Sequence, residues 1–202
     1  MALLFAKNNS LSAVTALPAS ITGGTFNLIS TQTASSSSTI DFTSGLDSTY
    51  KEYFFKFINI HAGTNSANFT FQGSTDGGGS YGVTLASHFF RAVHGSDGSS
   101  GTISYETDKD LHNSTSYQRI GHSMSDNNLA SLSGHMAFYN PSSSVFTKHF
   151  LAKASVNYSY DPGYAFEANC GGYFNTQSPI TAMQFKMSSG TFDGIIKLYG
   201  VS

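Results

Sequence analysis

The chain has 202 residues, a formal net charge of −2, and only 11% Asp, Glu, Lys and Arg, well below the roughly 25% of an average soluble domain. Its ten basic residues are scattered, so no clustered cationic face is available for nucleic acid, which is not expected as a partner. A single cysteine, Cys170, excludes an internal disulfide and a cysteine-based zinc site.

A chain of this length buries roughly 70% of its unfolded surface and needs no staple. Ser, Thr, Asn and Gly take the place of charged residues, giving a surface that is polar but cheap to desolvate. That balance favours a subunit of a permanent assembly over a free enzyme. No stretch is long enough to cross a bilayer, so no membrane partner is expected. The opening Met1-Ala2-Leu3-Leu4-Phe5-Ala6 is apolar but too short for a signal core, and no basic residue precedes it.

Residues 1–24 read as an irregular docking arm, punctuated by Pro18 and Gly23-Gly24. Leu3, Leu4, Phe5, Leu11, Val14 and Leu17 are the residues expected to bind a partner, because they can bury area outside a domain. Residues 25–202 read as one β-sandwich domain.

From Phe26 the pattern is β, with short apolar runs separated by turn residues. Residues 26–33 and 39–42 are candidate strands. Residues 50–60 carry large apolar groups on both faces, which predicts a central strand covered on both sides. Residues 67–72 alternate, placing Phe69 and Phe71 inward and Asn68, Thr70 and Gln72 outward. The Ser74–Ser80 segment, rich in glycine, predicts a turn. A calcium loop is the competing reading, but it would need several oxygen side chains, and only Asp76 carries a carboxylate.

Further strands are predicted at 83–93, 103–105, 116–124, 129–140, 145–158, 164–175, 180–187 and 194–201. Glu106–Ser114 reads as a polar surface loop. Turns are placed at Asn140-Pro141 and Asp161-Pro162-Gly163. Roughly nine to eleven strands with short turns and no convincing helix give an all-β, antiparallel β-sandwich of jelly-roll-like type.

Chemistry finds few candidates. There is no Gly-x-Ser-x-Gly elbow, Walker loop or dinucleotide fingerprint. Glu106, Asp108 and Asp110 could be read as a glycosidase pair, but a solvated loop explains them better. The seven histidines, His61, His88, His94, His112, His122, His135 and His149, show no metalloprotease spacing; a shared site on an oligomer axis is the competing reading. No catalytic residue, metal or cofactor is expected. Cys170, in an apolar Gly-rich run, reads as a buried small hydrophobe. Tyr81, Tyr158, Tyr160 and Tyr164, near turns, could stack on sugars; their competing role is packing at strand ends or subunit joints.

Several segments together resemble virion structural proteins of marine tailed bacteriophages, the cyanophage- and pelagiphage-like group with a β-sandwich module. They are Leu28-Ile29-Ser30-Thr31-Gln32-Thr33-Ala34, Ile40-Asp41-Phe42-Thr43-Ser44-Gly45-Leu46, Phe57-Ile58-Asn59-Ile60-His61, Asn140-Pro141-Ser142-Ser143, Lys148-His149-Phe150 and Ile196-Lys197-Leu198-Tyr199-Gly200-Val201. The resemblance runs from about residue 26 to the end and implies a structural role at the particle surface. It implies a capsid decoration or cement subunit, or an appendage subunit. The implied partners are copies of itself, with a trimer favoured, and the major capsid protein or other virion proteins. A tail-associated protein that binds host surface glycans is the alternative. The resemblance carries over no catalytic residue.

Overall fold

A computed structural model describes residues 26–98, 101–158 and 163–202, with only the backbone described at Tyr158. The expected arm at residues 1–24 lies outside the described residues. The described residues form two antiparallel sheets packed face to face, a β-sandwich as the alternation predicts. Among the described residues there are twelve strands: β1 (Phe26–Ser37), β2 (Thr39–Phe42), β3 (Glu52–Ala62), β4 (Phe69–Ser74), β5 (Leu85–Gly95), β6 (Gly101–Tyr105), β7 (Gln118–Arg119), β8 (Ser131–Tyr139), β9 (Lys148–Tyr158), β10 (Tyr164–Phe174), β11 (Ala182–Met187) and β12 (Phe192–Val201). One sheet has eight strands in the order β1-β12-β3-β8-β9-β10-β5-β6; the other has four, β2-β11-β4-β7. Among the described residues the one helical element is a single 3-10 turn, Thr107–Lys109.

The core is aromatic because period-2 alternation aims every second Phe between the sheets. Phe185 of β11 is its hub. Its ring lies 5.1 Å from Phe55, 5.3 Å from Phe57 and 5.9 Å from Phe69, and Phe71 adds a tilted contact. Farther along, Phe71 of the small sheet meets Phe150 of the large one at 5.0 Å. Offset and edge-on rings of this kind add about 0.5–1.5 kcal/mol per pair beyond their buried area.

Three expectations need correction. Strand β3 is central, between β12 and β8, but only one of its faces is covered. Tyr53, Phe55 and Phe57 are buried, whereas Phe54 and Ile58 are half-buried and Lys56 is exposed. Among the described residues no second layer covers its other face. Conversely, β4 is buried on both faces. Gln72, expected to face water, is fully buried: its Nε2 donates to the carbonyls of Thr115 and Ser116 at 3.0 and 2.9 Å. The segment after the 3-10 turn lies over the small sheet, and a single amide satisfies both carbonyls. Finally, residues 116–124 hold only the short strand β7 and an isolated bridge from Met124 to Ala67.

A bulge shapes the junction of β3 and β8. The register shifts between Phe57 and Ile60, and Asn59 adopts φ +49° with its amide donating to Ser133 Oγ at 3.0 Å. The shift lets both Phe57 and Ile60 point inward.

Candidate interaction surface

The outward face of the eight-stranded sheet is built by the residues that alternate with the core. Cross-strand pairing aligns them in rows. One row runs Leu28–Tyr199–Phe54–Ala137–Leu151–Gly171–His88 across seven strands. The next runs Thr31–Lys197–Lys56–His135–Lys153–Asn169–Phe90–Tyr105 across all eight. The core-facing row between them in sequence includes Leu198, Phe55, Met136, Ala152, Cys170 and Phe89, all buried.

Several side chains of this face stand in solvent: Leu28 is 56% exposed, Leu151 55% and Tyr105 59%. Phe26 adds to it, with its ring 5.1 Å from Phe54 and 6.0 Å from Tyr199. Phe54 in turn stacks on His135 at 5.0 Å. A shallow hollow of about 740 Å³ opens between Phe26, Phe54, Tyr199, Ile58, Ser133 and His135. A second, of about 500 Å³, lies between His88, His149, Leu151 and Tyr173. Charges are sparse. Lys153 pairs with Glu167 at 3.0 Å, and Lys56 faces Lys197 across the ladder. Phe26, Leu28, Tyr199 and Phe54 group at one end of this face and Leu151 stands exposed toward the other, an apolar grouping beside the lysines of the next row.

The acidic loop is not the solvated face that its sequence suggests. Glu106 is the acceptor for two cations: Arg91 Nε at 2.7 Å and Lys109 Nζ at 2.7 Å, with Ser104 Oγ donating as well. Burial by itself would raise the pKa of Glu106. The hydrogen bonds from Lys109 and Ser104 and the Arg91 charge outweigh it and bring the carboxyl down to about 2. Asp110 accepts from the Phe89 amide at 2.7 Å and from the Tyr105 hydroxyl at 2.6 Å. Asp108 does remain exposed, with both oxygens accepting from Lys109 Nζ, at 2.9 and 3.1 Å. Glu106 and Asp110 therefore fasten the β6–β7 connection to β5, while Lys109, buried, ties Glu106 and Asp108 together within it. Sequence spacing does not show this, because Arg91 comes from a different strand.

Of the tyrosines proposed for sugar binding, Tyr81 and Tyr164 line different clefts, and the backbone of Tyr164 pairs with that of Tyr158 across β9 and β10. Tyr81 lines a polar cleft of about 440 Å³ with Thr75, Ser80, Asn175 and Ser178. Its hydroxyl is buried without a hydrogen-bond partner among the described residues, and burial followed by the nearby Asp41 carboxylate raises its pKa. Tyr164 lines a different cleft, about 300 Å³, with Arg91, Val93, Thr102, His122, Ser123 and Phe166. The side chain of Tyr158 and all of Tyr160 lie outside the described residues, as do Leu3, Leu4, Phe5, Leu11, Val14 and Leu17.

Asp76 is occupied by its own turn. Its Oδ1 accepts from Ser74 Oγ at 2.5 Å and from the Ser80 amide at 2.9 Å, and its Oδ2 accepts from Ser80 Oγ at 2.7 Å. Those hydroxyl and amide donors hold the carboxyl well below its usual range. Cys170 is buried, and burial pushes its thiol pKa up, so it is an unreactive packing residue as its sequence context suggests. Among the described residues, no group of three His, Cys, Asp or Glu is placed to hold a metal ion.

Two functional-looking groups escape sequence reasoning. His122 is sunk beside Asn68, with burial foremost and the Lys109, Arg119 and Arg91 charges next in bringing its pKa down to about 4. Lys148 is fully buried, its Nζ donating to the Thr176 carbonyl at 3.0 Å, and burial lowers its pKa. No family model, no curated protein and no solved structure matches the chain.

Proposed function

We propose that this chain is a non-enzymatic structural subunit of a bacteriophage particle, exposed at its surface, that works by protein–protein contact. A capsid decoration or cement subunit is the form that fits best, and the jelly-roll-like layout of such subunits belongs to the proposal. The observation that supports it is the group of exposed aromatic and aliphatic side chains, Phe26, Leu28, Tyr105 and Leu151, on the outer face of the eight-stranded sheet. Burying it against a neighbour stabilises a joint at about 25 cal/mol per Å² before association costs. The low charge content keeps the desolvation cost small. Copies of the chain and the major capsid protein are the partners proposed.

The test is incorporation into particles. Leu151→Asp places a charge in the middle of the outer face without touching the core. The variant should fold with an unchanged far-ultraviolet spectrum and fail to co-sediment with particles. Normal incorporation would count against this face as the joint.

A second reading, a tail-associated glycan-binding protein, rests on the cleft at Tyr164. It has room for about one sugar ring and combines an aromatic with Arg91 and Thr102. Saturable binding on a glycan array, lost in Tyr164→Ala, would favour it over the cement reading.

A further inference from the structure

We infer that the outer face of the eight-stranded sheet receives an acidic surface of a different protein, whose carboxylates meet Lys197, Lys56 and Lys153 while its apolar side chains cover Tyr199, Phe54 and Leu151. The inference rests on reading the chain as an assembly subunit, and it names the chemistry of the partner.

Basic residues that are scattered in the sequence meet on this face. The strands of the large sheet carry Lys56, Arg91, Lys148, Lys153 and Lys197. Arg91 is held by Glu106, and Lys148 is fully buried. The other three fall in one row: Lys197 pairs with Lys56, Lys56 with His135, and His135 with Lys153. Four adjacent strands at about 4.8 Å make this row ~14 Å long. Like charges directly opposite one another repel. Among the described residues, Lys153 alone of the three has a carboxylate partner, Glu167 at 3.0 Å.

A surface that covers the apolar groups must also cover these lysines. Two residues along the same strands, about 7 Å away, runs the row Tyr199–Phe54–Ala137–Leu151. On the other side Ile195 pairs with Ile58, both half-buried. Lys197 and Lys56 therefore stand between apolar neighbours. An uncharged cover would strip water from the ammonium groups and leave them unpaired, which opposes the contact. Carboxylates turn the same burial into charge-assisted bonds and also speed the encounter.

The same balance selects the partner. The carboxylates on the strands of this sheet are Glu52, Glu167 and Asp193. Glu167 is held by Lys153 and Asp193 by the Ser36 amide, at 2.8 Å. A second copy laid face to face thus brings lysines against lysines with only Glu52 to answer them. A nucleic acid or an acidic polysaccharide needs a longer cationic track than ~14 Å, and the chain as a whole carries a net charge of −2.

The experiment uses the full-length chain and, as probe, a helical peptide with leucines along one face and glutamates beside them. Amide NMR shifts should map the peptide onto Phe54, Lys56 and Leu151. Its affinity should fall at least ~10-fold in the double variant Lys56→Gln with Lys197→Gln, and be kept in Lys56→Arg with Lys197→Arg. Raising the ionic strength from about 0.1 M to about 1 M should weaken it as well. The inference is overturned if the peptide does not bind, if the glutamine variant binds it as tightly, or if a leucine–lysine peptide binds equally well. Binding of polygalacturonate in place of the peptide overturns it in favour of a polysaccharide. Self-association that the glutamine variant abolishes overturns it in favour of a second copy. Particle incorporation is read separately. If Leu151→Asp is excluded from particles while the glutamine variant enters normally, the acidic partner falls and the assembly reading stands. Lysine-dependent peptide binding with normal incorporation of Leu151→Asp does the reverse.

Discussion

Lys109 Nζ lies 2.7 Å from Glu106 Oε2, a buried ion pair three residues apart that pins an exposed-looking loop to the body of the sandwich. Lys109 is 5% exposed and Glu106 12% in their side chains. Neither charge would be tolerated there without the other, and Arg91 on β5 supplies the remaining compensation.

Glu106→Gln removes the charged acceptor shared by buried Lys109 and half-buried Arg91. It should lower unfolding stability by about 3 kcal/mol, seen as a drop in the urea midpoint at pH 7. Because the folded carboxyl has a depressed pKa, its contribution is complete above about pH 4.5 and fades as pH falls toward 2. Wild type and Glu106→Gln should therefore converge in stability across that window. Parallel curves from pH 5 to 2 would mean that the ionised carboxyl does not stabilise the fold.

His122 acts at milder acidity. Its folded pKa, about 4, lies below the ordinary 6.5, so the unfolded chain takes up the proton first. Stability is complete above pH 6.5 and decreases as pH falls to 4, by on the order of 2 kcal/mol. His122→Gln should flatten the stability profile between pH 6.5 and 4, as followed by thermal melts. An unchanged slope would assign the loss to other groups.

Lys148 contributes nothing favourable by its charge. Burial opposes protonation, and among the described residues its Nζ donates to the Thr176 carbonyl alone. Lys148→Met keeps the stem that packs in the core while removing the charge. The melting temperature should stay the same or rise. A fall of more than a few degrees would show that the ammonium has a structural role.

Gly194 has φ +135°, and a Cβ there would stand 2.8 Å from the Asn59 carbonyl oxygen and 2.9 Å from the Ile60 Cα. Both obstacles are backbone, at the bulge that sets the register of β3 against β12. Gly194→Ala should cost about 2–3 kcal/mol. Denaturation by urea measures it, and a loss below 0.5 kcal/mol would show that the bulge relaxes freely.

The sequence by itself determined the all-β class, most strand positions and the inward Phe69 and Phe71. These follow from period-2 alternation and turn residues, which are local properties of the chain. It also gave Cys170 as a buried, inert residue, from its apolar glycine-rich surroundings. Only the tertiary structure decided which apolar face of β3 is covered, since two apolar faces look alike until the partner sheet is placed. The same holds for Gln72, whose neighbours come from a loop more than forty residues away, and for Glu106, whose partner Arg91 arrives from another strand. Strand pairing brings distant residues together, and alternation carries no information about which strands will pair.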